Sequence, residues 1–137
     1  MKATELMCDD IVLHHGNAYK VFGIMGKANA VDLFPVQLRN AEGMILGPLT
    51  CFATEIAPIP LTPEILEKNL EKECEDKIDG GLYFNVEDSK VWGILDEEGF
   101  WLNFNGQQDM ILIHYAHQLQ NALRLCGLND LADNFKV

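Results

Sequence analysis

Between residues 82 and 105 the chain repeats one pattern three times, and that repetition constrains the fold more than any other feature. Leu82, Phe84 and Val86 alternate with Tyr83 and Asn85. A turn at Glu87-Asp88-Ser89 leads into Val91-Trp92-Gly93-Ile94-Leu95, and Asp96 to Gly99 turns again into Phe100-Trp101-Leu102-Asn103-Phe104. A period of two means that alternate side chains stand on opposite faces, and turns this short join antiparallel neighbours. The segment therefore predicts a three-stranded meander with one apolar face, which needs a helix to cover it. Met110 to Ile113 reads as either a fourth strand or the lead-in to the last helix.

The first third is also β in character. Ile11-Val12-Leu13-His14-His15 and Tyr19-Lys20-Val21-Phe22-Gly23-Ile24 flank a turn at Gly16-Asn17 and predict a hairpin. Val31 and Leu33, then Val36 and Leu38, suggest a second pair before a turn at Asn40 to Gly43. The parity slips by one across Phe34-Pro35, which places a bulge or edge position there. Gly47-Pro48, Pro58 and Pro60 keep residues 47–61 extended and discourage helix, with Ala57 to Leu61 as a connector. Thr62-Pro63-Glu64 is the clearest helix start, with a capping hydroxyl, a proline for the first turn and an acid for the positive end of the dipole. Leu66, Leu70 and Cys74 give one stripe of that helix, Glu67, Glu71 and Glu75 another, and Gly80-Gly81 ends it. A last helix over about residues 114–126 places Tyr115, Leu119, Ala122 and Cys126 on one stripe and stops at Gly127. Leu128 to Phe135 reads as a short closing turn of helix. The expected architecture is a single α+β domain over 1–137. It comprises a bent N-terminal β-hairpin region or partial small barrel, a central helix, a three- to four-stranded antiparallel meander and a C-terminal helix packed on the sheet.

Charge narrows the function classes. Ten Lys+Arg against twenty-one Asp+Glu leave 137 residues with a net charge of -11. Such a surface repels phosphate backbones and anionic membranes, so direct nucleic-acid or membrane binding is not expected. The first ten residues lack the apolar core of a secretory signal, and no apolar run approaches the length of a membrane span. Cys8, Cys51, Cys74 and Cys126 form no C-x-x-C pair. Widely spaced thiols in a domain large enough to fold without staples point to a reduced, cytoplasmic protein.

The chemistry-bearing residues fall in three groups. His114 and His117 share a helix face with Asn121 and Arg124. Two imidazoles so spaced would grip a metal if Asp109, His14 or His15 supplied a third ligand; otherwise they belong to a solvated polar surface. His14 and His15 are adjacent in a strand and so point to opposite faces. By parity with Phe100, Leu102 and Phe104, Trp101 and Asn103 share the other sheet face with Tyr83, and Trp92 joins them. An aromatic, amide-rich face is a binding surface unless the 114–126 helix packs on it and buries it. The third group is acidic: Glu67, Glu71 and Glu75, crowded by Glu73 and Asp76, form a solvated face able to imitate a phosphate backbone. No G-x-S-x-G, G-x-x-x-x-G-K-[ST] or G-x-G-x-x-G is present. No catalytic residue, metal or cofactor is therefore expected.

Three stretches, Asp9-Asp10-Ile11-Val12-Leu13-His14-His15-Gly16, Ile59 to Lys68 and His114 to Asn121, together resemble a group of small uncharacterised proteins. That group is encoded in gut-bacterial genomes and their phages or mobile elements. The resemblance departs after Lys68, where the group implies a shorter helix than Asn69 to Lys77 would make. It implies mobile-element origin and carries over no activity or site residue.

Together these readings lead to a non-enzymatic cytoplasmic binding or accessory protein that meets a protein partner through an acidic face, with homo-oligomers compatible. The alternative is a phage-type counter-defence protein, either a nucleic-acid mimic or a nucleotide sequesterer using the aromatic face. A sequesterer would need Arg39, Arg124 and nearby lysines to converge. A metal-dependent hydrolase built on His114 and His117 ranks last.

Overall fold

A computed structural model describes residues 1–72, 81–86, 89–104 and 109–137. The described residues form an α+β fold with two five-stranded antiparallel sheets. The first sheet is curled and contains β1 (Ile11–His14), β2 (Asn17–Met25), β3 (Ala30–Pro35), β4 (Leu49–Phe52) and β5 (Ile56–Ala57), in the order β4-β3-β2-β1-β5. Helix α1 (Pro63–Asn69) then leads into the second sheet. That sheet contains β6 (Glu71–Lys72), β7 (Leu82–Asn85), β8 (Trp92–Leu95), β9 (Phe100–Asn103) and β10 (Ile111–Ile113), in the order β10-β9-β8-β7-β6. Helices α2 (Ala116–Leu125) and α3 (Asn129–Asp133) close the chain.

Strand β1 is the wall shared by two cores. Ile11 joins the larger core with Leu66, Phe84, Phe100, Leu102, Ile113, Leu119 and Leu123. Its neighbour Val12 joins the smaller one with Tyr19, Val21, Val31, Leu33, Cys51 and Ile56. Adjacent strand residues face opposite ways, so an unbroken apolar run is what a strand between two apolar layers requires. Helix α2 covers the core face of the second sheet and contacts β1 on its other side.

Several expectations are corrected. The tight turn of the first hairpin sits on His15-Gly16, both with positive φ (49° and 79°), one residue earlier than Gly16-Asn17. Left-handed conformations at both central positions match the twist of the strands they join. Of the two alternatives at Phe34-Pro35 the edge position holds, because both residues pair in register with β2 and neither pairs with β4; the bulge is elsewhere. It lies in β2, between Val21 and Gly23, and makes Phe22 the extra residue. Residues 47–61 are extended except at Ala53–Glu55, which form a short 3-10 helix, and β4 and β5 make the flanking stretches part of the sheet. Val36 to Leu38 do not continue β3, although the turn at Asn40 to Gly43 forms, with the Gly43 amide donating to the Asn40 carbonyl at 3.0 Å.

The central helix starts where expected, with Thr62 Oγ1 accepting from the Ile65 amide at 3.2 Å and Pro63 in the first turn. It ends after Asn69 instead of running to Gly80. Asn69 is held by the C-terminal tail: its Nδ2 donates to the Lys136 carbonyl and its Oδ1 accepts from the Lys136 amide, both at 2.7 Å. Leu70 turns extended and Glu71 pairs with Asn85, so the helical stripes through Leu70 and Glu71 do not exist. Cys74, Glu75 and Gly80 lie outside the described residues. The meander forms with the expected parity, and Ile111–Ile113 supplies the fourth strand. Helix α2 begins at Ala116, so His114 precedes it and Tyr115 is its N-cap, while Gly127 stops it at φ 80°.

Candidate functional site

The register of the second sheet assigns its two faces. Directly opposed residues share a face, so one row runs Tyr83, Ile94, Trp101, Leu112 and the next runs Glu71, Asn85, Trp92, Asn103. The alternate positions Phe84, Phe100, Leu102 and Ile113 point into the core. Helix α2 packs on that core side, so it does not bury the aromatic face as one sequence reading expected. Tyr83, Trp92, Ile94, Trp101 and Leu112 are half-buried, Asn103 is buried and Glu71 is exposed. Five of the residues singled out from sequence, Tyr83, Trp92, Trp101, Asn103 and Glu71, thus share one face.

The rings on this face are held in place. Tyr83 and Trp92 lie nearly parallel, with centroids 6.5 Å apart and an interplanar angle of 16°. Trp101 Nε1 donates to Asp96 Oδ2 at 3.0 Å. The other oxygen of Asp96 accepts from the amides of Glu98 and Gly99 and shapes the turn between β8 and β9. Acids therefore stand at both ends: Glu71 on the β6 edge, and Asp96, Glu97 and Glu98 at the turn. The rigid rings supply large contact area at little conformational cost.

The remaining sequence candidates lie elsewhere. Glu67 sits on α1 and pairs with Lys72 at 3.2 Å, where Lys72 opposes Phe84 and so faces away from the rings. His114 and His117 do not converge. His114 is exposed at the end of β10, whereas His117 is 4% exposed in the first turn of α2 with its ring stacked 6.1 Å from Tyr115. Among the described residues no group of three or more His, Cys, Asp or Glu is placed to hold a metal ion.

The expected solvated stripe of α2 is in fact turned inward. Arg124 Nη1 donates to Asp10 Oδ1 at 2.6 Å and to Asn121 Oδ1 at 2.7 Å, and its Nε reaches Asp133. Asp10 is fully buried and also accepts from the Met7 amide. Burial pushes the Asp10 carboxyl above its ordinary value against the pull of Arg124 and that amide. Burial lowers His117, with Asp10 and Glu5 pulling it partly back. Gln120, which sequence reasoning passed over, is fully buried and ties three segments together. Its Oε1 accepts from the Ile11 amide at 2.9 Å, and its Nε2 donates to the carbonyls of Asp9 and Ala132. This cluster locks α2 to β1 and α3, so its polar groups serve the fold. Its only sequence signal is the spacing of His117, Gln120 and Arg124, which places them on one helix face.

Arg39 lines an open groove with Asn17, Gln37 and Asn40, while Arg124 is consumed by Asp10 and Asp133. These two cations do not meet, so no phosphate cradle forms between them. No family model, curated protein or solved structure matches the chain.

Proposed function

We propose that the protein is a non-catalytic, cytoplasmic binding module, and that the aromatic face of its second sheet is where a protein partner docks. The single observation that carries this reading is the placement of Tyr83, Trp92 and Trp101 on the sheet face opposite α2. Tryptophan and tyrosine dominate the energetics of protein interfaces because they fill pockets with rigid, amphipathic rings. Glu71 at one edge and Asp96, Glu97 and Glu98 at the other favour a partner segment that is apolar at its centre and basic at its flanks. The acidic contact surface expected from sequence thereby becomes a rim, with rings at its middle. The resemblance of three stretches to mobile-element proteins supports an origin of the same kind.

Selection of displayed peptides on the immobilised protein tests this. The reading expects recovered peptides to combine apolar residues with Lys or Arg, and to lose at least about tenfold in affinity on Trp92→Ala or Trp101→Ala. Glu67→Ala, which lies off the face, should leave affinity unchanged. Peptides indifferent to both tryptophans would overturn the assignment.

A second reading rests on the parallel Tyr83–Trp92 pair. The two rings lie nearly parallel with centroids 6.5 Å apart on one sheet face, so together they offer aromatic surface on which a planar ring can lie. A nucleobase would stack there, as a nucleotide sequesterer requires. A nucleoside panel that raises the melting temperature of the wild type, and not of Tyr83→Ala, would favour this reading over the peptide.

A further inference from the structure

The outer face of the first sheet carries an apolar surface that the proposed function does not use. Tyr19, Val21, Val31, Leu33 and Cys51 fill the inside of this sheet. The alternate residues face out, and the register sets them in three rows: Lys20 beside Phe34, Gly23 beside Asp32 and Thr50, and Met25 beside Ala30 and Phe52. The bulge adds Phe22 to the middle row and returns Ile24 to the inner core. Phe22, Phe34 and Phe52 are 54%, 50% and 58% exposed, and Met25 is 39% exposed. At their centre Asp32 accepts from Thr50 Oγ1 at 2.5 Å, and its carboxylate fills the space that Gly23 leaves empty. The arm joining β3 to β4 leaves the sheet beside Phe34 and carries the exposed Val36, Leu38, Met44 and Ile45. It is folded back on itself, with Leu46 donating to Leu38 and Arg39 bridged to Ile45.

We propose that this outer face and its arm form an interface between two copies of the chain. Area is the first argument. Eight large apolar side chains about half exposed leave on the order of 800 Å² open, above the patch that an ordinary monomer shows. That is about what one protomer contributes to a stable interface of standard size.

Charge distribution is the second argument, and it selects a second copy as the occupant. Residues 1–52 carry four Lys+Arg against five Asp+Glu, whereas residues 53–137 carry six against sixteen. The net charge of -11 therefore divides into -1 and -10. Two such chains repel everywhere except through the near-neutral half, and that half holds the apolar face. Its few charges have both signs, with Lys20, Lys27 and Arg39 set among Asp32 and Glu42. A two-fold contact that repeats one patch on itself then meets opposite charges as well as like ones. The aromatic face lies on the other sheet and takes no part in such a dimer.

Sedimentation velocity on the full chain across a wide concentration range tests the proposal. The wild type should sediment at twice 15.4 kDa at the upper end of the range. Leu38→Lys with Ile45→Lys, confined to the arm, should return the chain to a monomer without changing its circular dichroism. Phe22→Ser with Phe52→Ser should do the same, whereas Leu125→Ser, exposed on α2, should leave the dimer intact. A wild type that is monomeric at every concentration overturns the proposal. A dimer indifferent to both double variants also overturns it. A monomeric wild type that floats with phosphatidylcholine vesicles would overturn it too, and give the face to a lipid surface.

Discussion

Gln120 illustrates how much can depend on one amide. A carboxamide both donates and accepts, so it alone among side chains of its size satisfies one amide and two carbonyls at once. Gln120→Leu keeps the volume and leaves those three backbone groups without their partner. Unfolding in urea should show a loss of about 3 kcal/mol; a loss near zero would mean that water replaces the amide. His117 gives the fold a pH dependence of definite sign. Burial lowers His117, and burial with the neighbouring His15 lowers His14, both from 6.5. The unfolded chain therefore binds more protons just below that value, so stability is full above it and falls as the pH drops through the folded values. Asp10 acts oppositely, because its raised value gives stability that is present below 3.8 and lost as the pH rises through the folded value. The urea midpoint should thus be lower at about pH 5.5 than at about pH 7.5, and His117→Gln should shrink the difference. The same difference in both proteins would remove His117 as its source. Sequence spacing located the stripe of His117, Asn121 and Arg124. It could not show that the stripe faces a buried Asp10, because a polar stripe looks alike whether it meets water or a carboxylate.

At the scale of elements, the meander was legible because its period of two recurs with consistent parity, and the same parity identified the aromatic face. The boundaries that failed were set by distant contacts. Leu70 and Glu71 continue a helical pattern, yet the clamp from Asn69 to Lys136 and the pairing of β6 with β7 end the helix early. Asn69→Ala should cost about 1–2 kcal/mol and speed amide exchange in residues 134–137; unchanged exchange there would deny the clamp. Strands β4 and β5 were hidden by prolines, which keep chain extended without revealing that a partner strand waits. Gly93 was read as part of an apolar run, and its real role is spatial. It pairs with Phe84 and Leu102, and the Phe100 ring lies where a Cβ would stand. Gly93→Ala should therefore destabilise by about 1–3 kcal/mol, read from thermal or urea unfolding. A neutral result would show that the Phe100 ring moves freely aside.

Over the whole molecule, strand β1 joins two sheets with different surfaces. One sheet is apolar outside and nearly neutral; the other is aromatic outside and framed by acids. Composition showed the net charge, but its division between the halves becomes meaningful only when the sheets are distinct bodies of surface. Which side α2 covers was equally invisible in sequence, because both faces of the meander carry large rings. The central claim is that the aromatic face opposite α2 is the contact surface, and the protein carries its own reporters of it. Trp92 and Trp101 are its two tryptophans, and both stand there. Acrylamide quenching of tryptophan emission, with and without a saturating peptide selected on the wild type, reads that face alone. The account predicts a blue shift and at least about a twofold drop in the quenching constant on binding, as desolvated rings require. Emission and quenching that stay the same while the peptide is bound would contradict it.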